Sequence, residues 1–446
     1  MKVVHVPYCF FPDPVGGTEV YVDALAREQQ ARGVDALIAA PGPRDASYLH
    51  DGVPVRRFAI SPDLHDLRAL YGEGDIQAAR TFSRLLDEEQ PDLVHLHALT
   101  SGVSLRLAQE AHERGIRVVF TYHTPTVSCV RGTLLRFGQD VCDGRLDVRA
   151  CTRCSLHRYE AGSFASFVLG SIPPGLGTRL GQLGLAGGPW TALRMSELVE
   201  LRHAALRTLL SEVDGIVVPC LWAQDLLQLN GVPFDKLTLS RQGLAVRPLA
   251  AVTPRPQTNG PLRIAYLGRL HPTKGADLLI RAVRELPGVP IELHLFGVNQ
   301  SADAYQRELR TLAGDDPRIQ FLPPVPNDQV VELLRVGYHA LAVPSRWLET
   351  GPLVVLEAFA AGVPVVGACL GGIRELVRHE VDGLLVEPGS VAAWRQALAR
   401  LAQERDLLSR LERGVRPPRG MDAVAEDMLS LYERLAPAMQ RVAAVS

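Results

Sequence analysis

The chain has 446 residues, of which 47% are hydrophobic and 22% are charged, so it is too long for one ordinary core and predicts two or three globular domains. A formal net charge of −2 provides no global field that would attract nucleic acid, which argues against a nucleic-acid partner. Seven cysteines, together with a start that enters a strand without a signal-peptide pattern, indicate a reducing, cytoplasmic setting.

The first half of the chain alternates short apolar runs with helical patterns, which is typical of a parallel sheet assembled from βαβ units. Helices are predicted over residues 19–32 and 221–230, and strands over residues 3–6, 35–40, 53–59, 92–96, 117–121 and 215–219. Gly16 and Gly17 lie between the first strand and the first helix, where a glycine pair lets a phosphate approach the backbone. A plain turn would carry the same two glycines.

His97 and His123 stand where two of these strands end, so both are expected at the edge of the sheet where ligands bind. A lone histidine is usually an ordinary core or surface residue, and that interpretation stays open for His97. His123 is followed by Thr124 and Pro125 and is the better candidate for a site residue.

An insertion at residues 125–160 is rich in arginine and glycine and shows little apolar periodicity, so it needs another source of order. It holds four cysteines, namely Cys129, Cys142, Cys151 and Cys154. Four thiolates can close a tetrahedral zinc site that folds such a loop, which makes structural zinc the leading hypothesis. Free thiols, a disulfide pair and an iron–sulfur centre are the alternatives.

The stretch from residue 161 to residue 193 contains a single charged residue, Arg179, and many glycines and prolines. One interpretation is helical packing against the first domain. The other is an apolar, membrane-facing lip for a lipid-linked acceptor, which would place the protein at the inner face of the membrane as a peripheral partner.

Residues 247–261 are rich in proline and predict a linker between a first domain, residues 1–246, and a second domain, residues 262–420. The second domain repeats the βαβ pattern, with predicted strands at residues 262–267, 291–296, 319–322, 339–343, 363–367 and 384–386. A final helix pattern starts at residue 421, and residues 421–446 are expected to pack back on the first domain. The predicted fold class is α/β, with two doubly wound parallel sheets.

Two cations lie on the loop that follows the first strand of the second domain. This loop begins at Gly268 and holds Arg269 and Lys274, which can turn toward a polyphosphate as a bidentate fork and as a point charge. An ordinary solvated lysine is the alternative for Lys274. No Walker loop and no Asp-x-Asp pair suited to a catalytic metal accompany them, so organic cations would neutralise a leaving diphosphate without a catalytic metal.

Two glutamates follow the predicted strand at residues 339–343. Glu349 lies on the loop at the end of that strand, and Glu357 lies on the short helix after it, where it can reach a neutral polar group. Pro352 is expected at the first helical position, where no amide is needed. The amides expected to face outward there as an anion site are those near Gly351, Leu353 and Val354. A surface loop with a solvated glutamate is the alternative.

In combination these motifs resemble those of the family-4 glycosyltransferases with the GT-B fold. The resemblance is carried by the glycine pair, His123 and the segments 268–275, 344–366 and 371–377. It implies two Rossmann-like doubly wound parallel-sheet domains facing across a cleft. It also implies a retaining hexosyltransferase that moves a sugar from a UDP- or GDP-sugar to a saccharide, lipid-linked or small-molecule acceptor.

The resemblance further implies a role for each matching residue. Arg269 and Lys274 would grip the diphosphate, and Glu357 would bind the ribose hydroxyls. Glu349 would contact the donor sugar, and His123 would approach it near the anomeric centre. The glycine pair would touch the phosphate when the cleft closes. A sugar-nucleotide epimerase of the same fold and a non-catalytic nucleotide-sugar-binding subunit are the alternative functions.

Overall fold

The computed structural model describes residues 1–13, 16–158, 162–245, 260–297 and 304–435. Most of the predicted linker at residues 247–261 therefore lies outside the described residues, as does the end of the chain beyond residue 435. Contacts divide the chain into two compact units, which we call unit 1 (residues 1–241 with 421–446) and unit 2 (residues 242–420).

Unit 1 is built on an eight-stranded sheet in which apolar runs are buried on both faces. Its strands are β1 Lys2–Val6, β2 Asp35–Gly42, β3 Ala46–His50, β4 Val53–Ala59, β5 Leu93–Leu96, β6 Arg117–Thr121, β9 Gly215–Val218 and β10 Leu237–Leu239. Their spatial order is β10-β9-β6-β5-β1-β2-β4-β3, and every pairing is parallel except that of β3 with β4. The order reverses between β1 and β5, which is the switch point of a doubly wound sheet.

The helices of unit 1 cover this sheet. They are α1 Gly17–Gln30, α2 Ile76–Glu89, α3 Leu105–His112, α4 Val148–Arg158, α5 Ser163–Leu169, α6 Pro174–Gln182, α7 Gly188–Glu212, α8 Leu221–Leu229 and, from the end of the chain, α16 Met421–Leu435. Short helical turns lie at Ala69–Glu73, Pro125–Val127 and Phe234–Lys236. Met428 and Tyr432 of α16 are buried in the same core as Val22 of α1 and Val3 of β1. The last helix is therefore part of the core of unit 1.

The insertion between β6 and β9 holds a small antiparallel hairpin, β7 Leu135–Arg136 and β8 Asp140–Val141, followed by α4 to α7. Leu156, Met195 and Val199 form a small core that joins α4 to α7. The apolar stretch after residue 161 forms α5, α6 and the start of α7, joined by turns at residues 170–173 and 183–187. No described helix combines the length and the apolarity needed to cross a lipid bilayer.

Unit 2 is built on a six-stranded, wholly parallel sheet. Its strands are β11 Leu262–Leu267, β12 Ile291–Phe296, β13 Ile319–Leu322, β14 Ala340–Val343, β15 Val365–Ala368 and β16 Gly383–Val386. The spatial order β13-β12-β11-β14-β15-β16 is that of a Rossmann sheet, and it reverses between β11 and β14.

Helices pack on both faces of this second sheet, over two separate hydrophobic clusters. They are α9 Ala276–Arg284, α10 Ala304–Ala313, α11 Val330–Gly337, α12 Leu353–Ala360, α13 Gly371–Leu376, α14 Val391–Gln403 and α15 Arg405–Gly414, with short turns at Pro272–Lys274 and Asn327–Gln329. The prediction of two doubly wound parallel α/β sheets is thus confirmed. The sequence pattern missed β3, β7, β8 and β10, which are short or exposed.

Candidate active site

The reversal of strand order in unit 2 gathers two loops at the carboxyl ends of β11 and β14. In doubly wound sheets this is where ligands bind, because the loops of the two neighbouring strands diverge to opposite faces there. The first loop carries Gly268, Arg269 and Lys274, and the second carries Glu349. Residues separated by 75 positions in the sequence therefore meet at one edge of the sheet.

Glu349 is the centre of a hydrogen-bond network in these loops. One of its carboxylate oxygens, Oε1, accepts from the Lys274 ammonium at 2.6 Å and from the Ser345 hydroxyl at 2.7 Å. The indole N–H of Trp347 donates to the same oxygen at 2.7 Å. The Lys274 ammonium also lies 5.2 Å from the centre of the Trp347 ring, within the range of a cation–π contact. These donors fix the position of the carboxylate before any ligand arrives.

Glu349 is held in its ionised form. Burial pushes the pKa of this carboxyl upward, but the Lys274 charge and the three donors outweigh burial, so its pKa lies below the ordinary value of 4.5. At neutral pH the loops therefore carry one fixed negative charge paired with Lys274. Arg269 adds an exposed positive charge with no hydrogen-bond or ion-pair partner for its guanidinium among the described residues.

A second ion pair ties the two loops to each other. The Arg346 guanidinium binds both carboxylate oxygens of Asp277 on α9, at 2.7 and 2.6 Å. The backbone amide of Arg346 donates to the carbonyl of Thr273. Gly275 makes the approach of the loops close, because a Cβ at this position would lie 2.2 Å from the carbonyl oxygen of Pro344. Its φ of +72° also favours glycine.

The start of α12 differs by one residue from the prediction. Pro352 precedes the helix with an extended ψ of 122°, and Leu353 is the first helical residue, so the expectation that Pro352 occupies the first helical position is wrong. The amide of Val355 already donates to the carbonyl of Pro352. The first-turn amides that remain for an anion are those of Leu353 and Val354, preceded by the amide of Gly351.

Glu357 is buried in α12, with 8% of its surface exposed. Burial raises the pKa of its carboxyl to about 7, and no described residue forms a hydrogen bond or ion pair with it. A carboxyl group in this situation gains from a ligand that offers hydroxyl groups, since those would replace the water it has lost.

In unit 1, the glycine pair lies at the start of α1. The amide of Gly16 donates to the buried carboxylate of Glu19 at 3.0 Å, so a carboxylate already occupies part of this helix N-terminus. A Cβ added at Gly16 would meet nothing within 4 Å, which leaves room beside the backbone there.

His123 is one end of a buried row of histidines along the carboxyl ends of β1, β5 and β6. Its Nε2 is 2.9 Å from Nδ1 of His97, whose Nε2 is 3.0 Å from Nδ1 of His5, whose Nε2 is 2.7 Å from the side-chain oxygen of Gln29. Burial lowers the pKa of His123 to about 3 and that of His5 to about 4, so both rings are neutral at pH 7.

The hydrogen-bond partners of the row are consistent with one set of tautomers. If the side-chain oxygen of Gln29 accepts from His5, each ring in turn donates from Nε2 and accepts at Nδ1. His123 then donates to His97 and keeps a lone pair on Nδ1. The structure therefore places His97 in the core, as the ordinary interpretation of that residue predicted.

Two family models match the chain. The model described as "Glycosyl transferase 4-like domain" matches residues 16–243, just over half of the chain, and the model "Glycosyl transferases group 1" matches residues 254–416. The chain belongs to the family-4 glycosyltransferases. The second match contains both loops and both glutamates of unit 2, and the first contains the glycine pair and His123.

Curated relatives of this family-4 glycosyltransferase chain match it in part. A D-inositol 3-phosphate glycosyltransferase of Nocardia farcinica is 32% identical over 226 residues, which cover 47% of this chain and 49% of that protein. One from Salinispora tropica is 35% identical over 182 residues, 38% of this chain and 37% of that protein. The chain thus spans about half the length of these relatives or less.

Solved structures share the fold of the family-4 chain over nearly its whole length. Sucrose-phosphate synthase from Thermosynechococcus elongatus has a TM-score of 0.65 at 18% identity and covers 98% of this chain and 99% of its own. Anabaena HepE in complex with UDP-glucose has a TM-score of 0.59 at 16% identity, with 99% and 100% coverage. At these identities the likeness shows the fold alone, which confirms the predicted GT-B class.

The four cysteines of the insertion are free thiols and partly buried in this family-4 chain. Among the described residues, the group of three side chains whose donor atoms all lie within 4.8 Å of one another is His5, His95 and His97. The four thiol sulfurs therefore lie farther apart than sulfurs that share one metal ion. The nitrogens of the three histidines are engaged in hydrogen bonds, those of His95 with Tyr432 and Thr121.

Sequence reasoning missed several residues that organise the unit 2 loops. Trp347 and Ser345 share an oxygen of Glu349 with Lys274, and Arg346 ties its loop to Asp277. The only available signal was their position, within four residues of Glu349 on the same loop. Nothing in the sequence pairs Arg346 with a carboxylate 69 positions away.

Proposed function

We propose that this protein is a retaining glycosyltransferase that moves a sugar from a nucleotide-diphosphate donor, a UDP- or GDP-sugar, to a hydroxyl-bearing acceptor. The observation that supports it most is the meeting of Lys274 with an ionised, triply hydrogen-bonded Glu349 at the switch point of a Rossmann sheet. The exposed Arg269 lies on the same loop as Lys274. Membership of the family supports the same conclusion.

In this proposal, the cations of unit 2 receive the leaving group. Lys274 and Arg269 bind the diphosphate together with the amides of Leu353 and Val354 at the start of α12. Glu357 accepts hydrogen bonds from the ribose hydroxyls, which suits a carboxyl group that lacks a partner. Glu349 binds a hydroxyl of the donor sugar, and its orientation by Lys274 makes the contact specific.

The proposed reaction is a front-face displacement. The bond between the anomeric carbon and the diphosphate oxygen breaks, and the electron pair leaves with the diphosphate. The acceptor oxygen bonds to the same face of the anomeric carbon, and its proton passes to the departing diphosphate. No enzymic base and no catalytic metal are required in this scheme, since Lys274 and Arg269 stabilise the charge.

Two alternative functions are less well supported. A sugar-nucleotide epimerase would act on the donor without an acceptor, and the matched family models are those of glycosyl transferases instead. A silent binding subunit would have no need for a charged lysine–glutamate pair oriented by two further donors, although that pair alone does not require turnover.

A donor and acceptor screen tests the proposal. We expect release of nucleoside diphosphate from one class of UDP- or GDP-sugar, stimulated by an acceptor, and a product with retained anomeric configuration by NMR. HepE was solved with UDP-glucose, so UDP-sugars come first, and D-inositol 3-phosphate joins saccharides and lipid-linked saccharides as acceptors. Conversion of the donor without any acceptor would favour the epimerase, and binding without turnover would favour the binding subunit.

We also propose that α5, α6 and the start of α7 contact a membrane surface. Phe164 is 82% exposed and Leu183 is 74% exposed, and Phe167 and Trp190 are exposed nearby. No acidic residue lies between residues 162 and 196. The guanidinium of Arg153 lies 4.2 Å from the centre of the Phe167 ring. Exposed apolar side chains beside arginines and without acidic residues suit an anionic lipid surface.

Vesicle sedimentation tests the membrane contact. We expect the protein to bind phosphatidylglycerol vesicles more strongly than phosphatidylcholine vesicles, and the double variant Phe164→Ser/Leu183→Ser to lose that binding. Phe234→Ser is the matched control, because Phe234 is 65% exposed elsewhere in unit 1. Equal sedimentation of the double variant and the control would contradict the proposal.

A further inference from the structure

We propose that Cys129, Cys142, Cys151 and Cys154 bind one structural zinc ion that orders the insertion after β6. The four residues come from separate parts of the insertion. Cys129 follows the turn Pro125–Val127, Cys142 follows β8, and the last two lie one turn apart on α4. All four thiols are free and partly buried, so none is used by a disulfide.

Backbone amides already point at two of the four sulfurs, those of Cys142 and Cys154. The amide of Gly144 donates to the sulfur of Cys142 at 3.5 Å, and the amide of Phe137 donates to the sulfur of Cys154 at 3.2 Å. Amides that point at sulfur stabilise a thiolate, which is the form that binds metal. The amide of Cys142 is also bonded to the carbonyl of Leu134, which brings the two halves of the hairpin together.

The hairpin that carries these contacts is strained for its size. Leu134 and Phe137, neither of them glycine, have φ values of +51° and +54°, in the left-handed region. Each such residue costs roughly 1–2 kcal/mol. Strands of two residues cannot offset that cost by themselves, because isolated hairpins are marginal at best. A metal ion bound to residues on both sides of the hairpin would offset the cost of these two backbone conformations.

Binding of one ion would displace the protons of the thiols. Each thiol loses its proton to solvent as its sulfur binds the metal. The sulfurs have to draw closer together than they now lie, and rotation about χ1 moves a sulfur without moving its backbone.

Zinc suits this set better than other metals do. Four cysteine sulfurs around one ion are the usual ligands of a closed, tetrahedral structural zinc site, with no open position for catalysis. The site would hold the loop that follows His123, since the amide of Cys129 donates to the carbonyl of Pro125 at 2.9 Å. Its function would therefore be to order that loop and not to take part in the transfer.

The wild-type protein provides the first test. Purified without chelator and dialysed, it is expected to retain one zinc per chain by elemental analysis. A mercurial thiol reagent should release that zinc, as followed with a chromophoric chelator. Cobalt-substituted protein should show the intense sulfur-to-cobalt absorption of a thiolate site. None of these measurements depends on activity or on the stability of a variant.

Variants provide the second test. Cys151→Ser/Cys154→Ser should lose the zinc and melt at a lower temperature, whereas Cys220→Ser should keep it. Cys220 is a suitable control because it precedes α8 at the N-cap, a position that serine favours. Protein without bound metal in zinc-containing buffer would overturn the proposal. So would iron with acid-labile sulfide, or a disulfide between Cys151 and Cys154 found by mass spectrometry.

Discussion

Lys274 combines two electrostatic functions in one side chain. It neutralises the buried Glu349 in the structure, and in the proposed reaction it receives charge from the leaving diphosphate. The pair keeps Glu349 ionised, so Glu349 contributes stability above its ordinary pKa of 4.5 and loses it as the pH falls below that value. Substituting Lys274 should therefore disturb both stability and turnover.

Turnover of Lys274→Ala is expected to fall by about 10²–10³-fold, the usual cost of one preorganised transition-state contact. Arg269→Ala should lower it by a similar factor with little change in stability, because the Arg269 side chain is exposed. The measurements are steady-state diphosphate release and thermal melting. Lys236→Ala in unit 1 and Arg281→Ala on α9 are the controls, and wild-type turnover in both test variants would disprove the assigned role.

Glu357 should make the stability of unit 2 depend on pH in the opposite sense. Its pKa is raised to about 7, so the folded state holds a proton that the unfolded state has lost between pH 4.5 and 7. Stability should fall as the pH rises through that window, by about 3 kcal/mol in total. Glu357→Gln should therefore match the wild type near pH 4.5 and be more stable at pH 8.

The same variant should bind the donor less well, since an amide cannot replace an ionised acceptor for two ribose hydroxyls. A loss of about 10–100-fold in kcat/KM is expected from hydrogen bonds to a charged group. Urea unfolding across the pH range, together with donor titrations at pH 8, measures both effects. A Glu357→Gln protein that is no more stable than the wild type at pH 8 would contradict the raised pKa.

At the scale of elements, two loops from separate βαβ units are held by the ion pair of Arg346 with Asp277. Both residues lie beside the proposed diphosphate site, so the pair is expected to act by positioning Lys274 and Glu349. Arg346→Ala should raise the donor KM and lower kcat, each by roughly tenfold, and Asp277→Ala should do the same.

A double-mutant cycle separates positioning from simple loss of charge. The effects of Arg346→Ala and Asp277→Ala should be strongly non-additive, with a coupling of roughly 0.5–3 kcal/mol in transition-state stabilisation. Arg335→Ala, which breaks a pair with the half-exposed Glu332 on α11, away from the two loops, should leave activity unchanged. Additive effects of the two test variants would mean that each residue acts alone.

Long apolar strands were the elements that sequence predicted best. The strands at residues 53–59, 117–121, 262–267 and 291–296 coincide with the structure, because apolar residues recur along each of them and are buried there. The strand Ala46–His50 was missed because it is a largely exposed, antiparallel edge with polar residues. In unit 2, the loops could be placed at one sheet edge from the βαβ order alone.

The sequence could not show which atoms meet at that edge. Two contacts join distant positions: Lys274 with Glu349, 75 residues apart, and Arg346 with Asp277, 69 residues apart. Both depend on the close approach of the two loops that Gly275 allows. The histidine row was hidden for the same reason. His5 lies on β1, and His97 and His123 follow β5 and β6, three strands that are adjacent only in the folded sheet.

At the scale of the whole molecule, the last helix is a structural part of unit 1. Met428 is fully buried between α16 and the elements at the start of the chain. Met428→Ala should cost roughly 2–5 kcal/mol, the usual range for truncating a buried methionine. Hydrogen exchange should rise across the strands of unit 1 while unit 2 is unchanged.

Glu433→Ala, an exposed position on the same helix, is the control for that experiment and should have little effect. Increased exchange in unit 2 alone would contradict the prediction, because it would show that α16 stabilises unit 2 and not unit 1. An effect below about 1 kcal/mol would mean that the core closes over the lost side chain.

Unit 2 is one uninterrupted segment, and its two ends lie side by side. The amide of Leu244 donates to the carbonyl of Arg419 at 2.9 Å, and Leu244 pairs with Gly420 in a parallel bridge. Because its two ends are adjacent, such a segment can be replaced by the equivalent segment of another protein without changing the path of the chain in unit 1. Residues 242–420 are therefore a suitable cassette for chimeras, in which donor preference should travel with the transplanted piece.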